Sequence, residues 1–257
     1  MDLKNPKIQS LYNGFFKLSA KAWHAEQKKV PLQPRSAPLL YNVDETENFI
    51  AGEIRNGIVV LDFDNEEEGK FAVSLLKLIV EKEMFEIDLK YNVVQTEKGY
   101  HIYFKNPDLI ENPRGNIPKK IPQGHICALG LECEYKLGGE QGKNPDYEPI
   151  RLDTIDRNFL GEIYSFDELS PLPFFFYYFK KRESIFKMKQ GSRNHTLSEF
   201  ALGLQKLMNR DDVETVCRII NGMIFEEKLS KKEMDAILRD KTFEKATVAT
   251  GGKADKL

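Results

Sequence analysis

The chain has 257 residues, 41% of them hydrophobic and 30% charged, with a formal net charge of −2. That composition suits a folded protein of one large or two smaller domains, excludes a polyanion-binding surface built on global charge, and holds no run approaching the ~18 apolar residues of a membrane span. Three scattered cysteines, Cys127, Cys133 and Cys217, with no C-x-x-C pair, argue against a disulfide framework and a cysteine zinc site. With an N-terminus that lacks an apolar signal core, this sets the expectation of a cytoplasmic protein.

In chain order, residues 6–24 read as a helix with Ile8, Leu11, Tyr12, Phe15, Phe16 and Leu18 as its apolar stripe. Residues 30–52 read as loop, with Pro31, Pro34 and Pro38. The run GIVVLDFD, 57–64, reads as a strand covered on both faces. A helix is expected near 67–85, with Phe71, Ala72, Leu75, Leu78, Ile79 and Lys82 on one face. YNVVQT (91–96) and YHIYF (100–104) flank Glu97-Lys98-Gly99 as a hairpin. Four prolines and two glycines make 105–127 a long loop, and ALGLECEY, 128–135, reads as a further strand. PFFFYYF, 173–179, reads as core packing.

The character changes after about residue 180. A helix carries Leu197, Phe200, Ala201, Leu204, Leu207 and Met208 at helical spacing, a second spans 211–223, and a third starts at Ser230 with the capping box Ser230-Lys-Lys-Glu233. The expected division is 1–182, a helical unit at 190–245, and a disordered tail or linker at 246–257. Residues 180–199 hold six Lys or Arg against two Glu, with Arg193 the last of the six. That is a candidate grip for a nucleic-acid backbone or a solvated linker.

Asp62 and Asp64 are the first candidate site. Side chains at i and i+2 of a strand share a face, and two carboxylates side by side repel unless a cation lies between them. A hard divalent cation with oxygen ligands is the usual answer; a strand simply meeting solvent is the plain one. Alternation in GLECEY sets Leu131, Cys133 and Tyr135 on one face and Glu132 and Glu134 on the other, so either glutamate is a candidate third carboxylate. His101 follows the hairpin turn. With Lys98 and the backbone N–H of Gly99 it forms a possible phosphate-binding group.

These motifs in this order resemble the archaeo-eukaryotic primase superfamily, in the primase-polymerase form of plasmids, phages and mobile elements. The resemblance is carried by LDFD at 61–64, TEKGYHIYF at 96–104, GLECEYKLGG at 130–139, and GSRN at 191–194 followed by helices like those of a primase C-terminal domain. It covers roughly 40–245. It implies an α+β fold: a mixed or antiparallel-sheet catalytic domain with an RRM-like core, then a small helical bundle. It implies Asp62, Asp64 and Glu132 as catalytic metal ligands, with Glu134 at a position where the family often has a basic residue. It implies His101, with Lys98 and Gly99, at the incoming nucleotide's phosphates. The implied activity is template-directed nucleotidyl transfer, making or extending primers on single-stranded DNA. Two Mg²⁺ or Mn²⁺ ions would activate the 3′-oxygen and stabilise the leaving pyrophosphate. Implied partners are template and primer DNA, nucleoside triphosphates and a replicative helicase, with no membrane.

Other D-x-D proteins fit less well. A haloacid-dehalogenase phosphatase needs Thr or Val where this chain has Glu66, and a GT-A glycosyltransferase does not account for the GSRN helical follower. LGGEQGKN misses a P-loop, with Leu137 in place of the first Gly and Asn144 in place of Ser or Thr. A catalytically inactive module that binds single-stranded DNA remains the non-enzymatic alternative.

Overall fold

The computed structural model describes residues 2–34, 37–44, 47–85, 88–106, 126–140, 145–153, 155–180, 183–189, 191–240 and 242–243. The chain forms two compact units of α+β class. The first comprises Met1–Lys119 and Glu134–Leu172, the second Lys120–Cys133 and Pro173–Leu257. No helix among the described residues is long and apolar enough to cross a membrane.

The first unit is built on two antiparallel sheets. The larger holds β3 (Ile58–Phe63), β4 (Asn92–Gln95), β5 (Tyr100–Lys105), β7 (Glu134–Leu137) and β10 (Asn158–Leu160), in the order β10-β4-β5-β3-β7. The smaller holds β1 (Tyr12–Lys17), β2 (Phe49–Ile54), β8 (Tyr147–Leu152) and β9 (Ile155–Asp156), in that order. All six positions of β3 are buried, as its apolar run requires. Alternate side chains serve different layers. Ile58 and Val60 join a core with Val94, Tyr103, Ile50, Ile54, Ile150, Tyr12 and Phe15, which binds the two sheets together. Phe63 points the other way, close to Gly69 of the covering helix α3 (Glu66–Glu81).

α3 starts where Asn65 accepts hydrogen bonds from the N–H groups of Glu67 and Glu68, a side-chain cap for otherwise unpaired donors. Its buried face runs through Glu68, Gly69, Ala72, Val73, Leu75, Leu76 and Ile79. The expected face was rotated from this, since Lys82 is exposed and Phe71 and Leu78 are only half-buried.

The N-terminal expectation is corrected. Residues 6–24 are a short helix α1 (Pro6–Gln9), then β1, then α2 (Ala20–Glu26) capped by Ser19. YNGFFK satisfies a helical spacing and a pleat equally. Pairing with β2 decides for the strand, because it completes backbone hydrogen bonds and buries Tyr12 and Phe15 in the inter-sheet core. β2 itself, FIAGEI, begins inside the segment expected to be loop, 30–52, and runs past its end. The hairpin is as expected, with Thr96 N–H donating to the Gly99 carbonyl and the Thr96 hydroxyl accepting from Lys98 and Gly99 N–H.

The strand expected at 128–135 is also corrected. A turn occupies it, with Cys127 N–H donating to the Leu131 carbonyl and Gly130 at φ +77°. β7 begins only at Glu134. The expected loop at 105–127 lies largely outside the described residues.

In the second unit, β6 (Ile126–Cys127) pairs with β11 (Tyr178–Lys180). The aromatic run is packing, as expected: Phe175 and Phe176 are fully buried, and Phe179 stacks 4.7 Å from Phe200. Helices span Arg193–Leu204, Arg210–Ile219 and Lys231–Ile237, with a π-helical turn at Ile220–Ile224. Ser230 and Glu233 form the capping box. The expected tail at 246–257 lies outside the described residues.

Candidate active site

The register of three strands assembles the site. On β3, Asp62 faces His101 of β5 on one side and Glu134 of β7 on the other. Directly opposed residues in an antiparallel pair project to the same face. Asp62, His101 and Glu134 therefore share the face that also carries Val60 and the inter-sheet core. Lys136, opposite Val60, joins them. From the smaller sheet, β8 contributes Glu148 to the same place.

The result is a ring of buried charges. His101 Nε2 lies 3.0 Å from Asp62 Oδ1, and His101 Nδ1 lies 2.6 Å from Glu148 Oε2. Lys136 Nζ lies 2.6 Å from Asp62 Oδ2 and 2.9 Å from Glu148 Oε1. Arg157, between β9 and β10, donates to Glu148 Oε2 at 3.2 Å. Asp62, His101 and Glu148 are each under 10% exposed. The two histidine contacts are at ion-pair distance without hydrogen-bond alignment, so Asp62 Oδ1 and His101 Nδ1 are buried polar atoms lacking an aligned partner.

The electrostatics follow from this packing. Burial alone would raise the Asp62 carboxyl, but His101 and Lys136 reverse that and hold it well below the usual carboxylate range. Burial likewise opposes ionisation of Glu148, and His101, Lys136 and Arg157 pull it down to about 2. Lys136, whose ammonium burial would disfavour, is raised instead by Glu148 and Asp62. Glu134 is raised, first by burial and then by the negative charges of Asp62 and Asp64. Lys29 is lowered by partial desolvation and by Arg157 and Lys136, so cations gather on this side of the site.

The expected residues are distributed as follows. Asp62 and His101 come together. Asp64 lies just past the end of β3, exposed, and acts electrostatically on Glu134. Glu132 lies outside β7, exposed, in a bridge to Ile126 within the second unit. It is Glu134 that stands opposite Asp62. Lys98 is exposed at the hairpin tip. Gly99 meets a steric need: a Cβ there would stand 1.8 Å from the Phe63 carbonyl oxygen. Arg193 is engaged with the Glu227 carbonyl and lies 3.8 Å from the Glu227 carboxylate, so it is tied within its own unit. Two cavities, one lined by Phe16, Leu32, Pro34 and Leu39 and one beside α3, are lined by none of these residues.

Sequence reasoning missed Glu148, Lys136 and Arg157. The one available signal was Lys136. It follows Glu134 by two positions, so the pleat sets the two side chains on one face.

Among the described residues no three His, Cys, Asp or Glu side chains converge as a ready metal site. The donor chemistry still suits a hard cation: the carboxylates Asp62 and Asp64 lie near enough to Glu134 to raise its cost of ionisation, and Asp62 Oδ1 lacks an aligned partner. Lys136 supplies the compensating charge in this arrangement.

No protein-family model matches the chain, and neither a curated protein nor a solved structure shows significant similarity to it.

Proposed function

We propose that the first unit is a primase-polymerase-type nucleotidyltransferase that adds nucleotides to a 3′-end on single-stranded template DNA. The observation that carries the reading is the register of β5, β3 and β7. It sets His101, Asp62 and Glu134 side by side, the three-strand placement that the ordered sequence motifs imply. The third carboxylate of the reading is Glu134, with Asp62 and Asp64 as its companions.

Divalent ions held by Asp62, Asp64 and Glu134 would supply Lewis acidity and charge neutralisation at the triphosphate. The chain's own groups do the positioning. His101, anchored on a central strand, donates from its ring toward a phosphate oxygen once substrate competes with Asp62 for it. Lys136, paired with Asp62, would offer its ammonium to the triphosphate wherever a divalent ion held by Asp62 supplied the compensating charge there instead. Arg157 and Lys29 add positive potential on the same side. Such catalysis is orientation and electrostatic preorganisation rather than covalent chemistry.

Lys187 and Lys189 are exposed in the second unit, whereas Arg193 is tied to Glu227, so the two lysines are candidate contacts for a DNA backbone. A second reading, a non-catalytic single-stranded-DNA-binding module, is favoured by the Lys136–Asp62 ion pair, since a permanent pair needs no metal.

One experiment separates the two. Protein, single-stranded template, labelled nucleotides and Mn²⁺ or Mg²⁺ are incubated with and without primer. Extended or oligomeric products that disappear in Asp64→Asn support the enzyme. DNA binding without products under every metal and nucleotide combination sinks it.

A further inference from the structure

Glu148 is outside every motif, yet it is the most enclosed carboxylate of the site, 2% exposed. It stands on β8, in the sheet opposite the one that carries Asp62 and His101. Register alone places His101 beside Asp62, but it leaves the imidazole rotation undetermined, because the terminal torsion of a histidine is broad. A carboxylate at ion-pair distance, 2.6 Å from Nδ1, restricts that freedom by charge and close packing, with Nε2 left facing Asp62. The same carboxylate reaches Lys136 at 2.9 Å with its other oxygen. Asp62 and Glu148, from opposite sheets, thus bracket one imidazole and one ammonium in a closed ring. Arg157, donating to Glu148 at 3.2 Å, keeps the carboxylate charged and in place.

We propose that Glu148 is a positioning residue: it sets the rotation of the His101 ring and tethers the Lys136 ammonium within the site, without itself touching the nucleotide. The assignment of His101 and Asp62 to nucleotide transfer rests on the reading above. Glu148 acts as the partners behind metal-bound or catalytic histidines do, where a carboxylate on the far ring nitrogen fixes tautomer and orientation.

The test compares wild type with Glu148→Gln, which keeps shape and one acceptor oxygen but loses the charge. The imidazole nitrogen and proton signals of His101, identified by their loss in His101→Gln, are read by NMR in ¹⁵N-labelled protein at neutral pH. Nucleotide addition is measured in parallel. Glu148→Gln is expected to shift the His101 ring signals and to lower kcat by roughly 10- to 100-fold, with template affinity unchanged. Glu148→Asp, which restores the charge at a shorter reach, is expected to recover part of both. Unshifted His101 signals in folded Glu148→Gln overturn the proposal, as does wild-type kcat.

Should Glu148→Gln not fold, Glu148→Gln/Lys136→Met removes one charge of each sign, and its His101 signals decide in the same way. A wild-type protein that adds no nucleotides sinks the enzymatic reading alone, since the ring signals still report whether Glu148 sets the histidine.

Discussion

Lys136 Nζ sits 2.6 Å from Asp62 Oδ2, where a metal-binding carboxylate would be expected to face a divalent ion. An ammonium between Asp62 and Glu148 neutralises a pocket that would otherwise be strongly negative. It therefore competes with any cation for the same oxygen. Lys136→Met is expected to raise Mn²⁺ affinity at least about tenfold, since one unit charge about 4 Å away is worth several kcal/mol at intermediate dielectric. Titration by electron paramagnetic resonance reads this directly. Unchanged or weaker Mn²⁺ binding would remove Asp62 from the metal site.

Asp62 and Asp64 should separate stability from activity. Asp62 is buried between His101 and Lys136, so Asp62→Asn leaves charges uncompensated and is expected to cost about 3–5 kcal/mol of stability. Asp64 is exposed, so Asp64→Asn should stay within about 0.5 kcal/mol of wild type while abolishing nucleotide addition. Urea unfolding followed by circular dichroism checks the first half, primer extension the second. An Asp64→Asn protein that extends primers normally excludes Asp64 as a ligand.

The two glutamates of GLECEY are distinguished by register. Glu134→Gln should reduce nucleotide addition by at least about 100-fold, the scale of losing one electrostatic contact to the transition state, and Glu132→Gln should leave it within a few-fold. The reverse pattern would restore Glu132 as the third carboxylate.

Glu148 makes stability depend on acid. Its folded pKa of about 2 lies below its ordinary value of 4.5. The stabilisation is therefore fully present above about pH 4.5 and is lost as pH falls toward 2. Urea midpoints measured between pH 7 and pH 3 should fall on the acid side. The slope should be shallower in Glu148→Gln, which has no proton to take up there. Parallel slopes for the two proteins would show that Glu148 is not held ionised.

Gly99 should tolerate no side chain. A Cβ placed 1.8 Å from the Phe63 carbonyl oxygen meets backbone on the central strand, which cannot yield without moving β3. Gly99→Ala is expected to cost about 1–3 kcal/mol, read as a lowered Tm. An unchanged Tm would mean that the hairpin and β3 are not in this contact.

How much of this was legible depended on the range of the cause. Ile58–Leu61 announce a doubly covered strand because each side chain reports its own layer. Ser230 and Glu233 announce a helix start because the two groups that bond are three residues apart. YNGFFK misleads because its apolar residues fit both periods, and only β2, itself hidden in a proline-rich stretch, resolves the choice. β8 was missed outright. YEPIRL has a proline where a ladder donor is expected, and nothing local marks its glutamate as different from a solvent-facing one.

By itself, the amino-acid order determined the apolar central strand, the adjacent acidic pair at its end, the histidine just after a glycine-bearing hairpin, and the capped helices of the second unit. Each follows from interactions between residues a few positions apart. The tertiary structure alone decided that Glu134 rather than Glu132 stands opposite Asp62, that Lys136 rests on Asp62, and that Glu148 closes the ring from the other sheet. Those facts depend on strand register and on which sheet faces which. A pleat shifted by one residue would turn every one of these side chains to the opposite face.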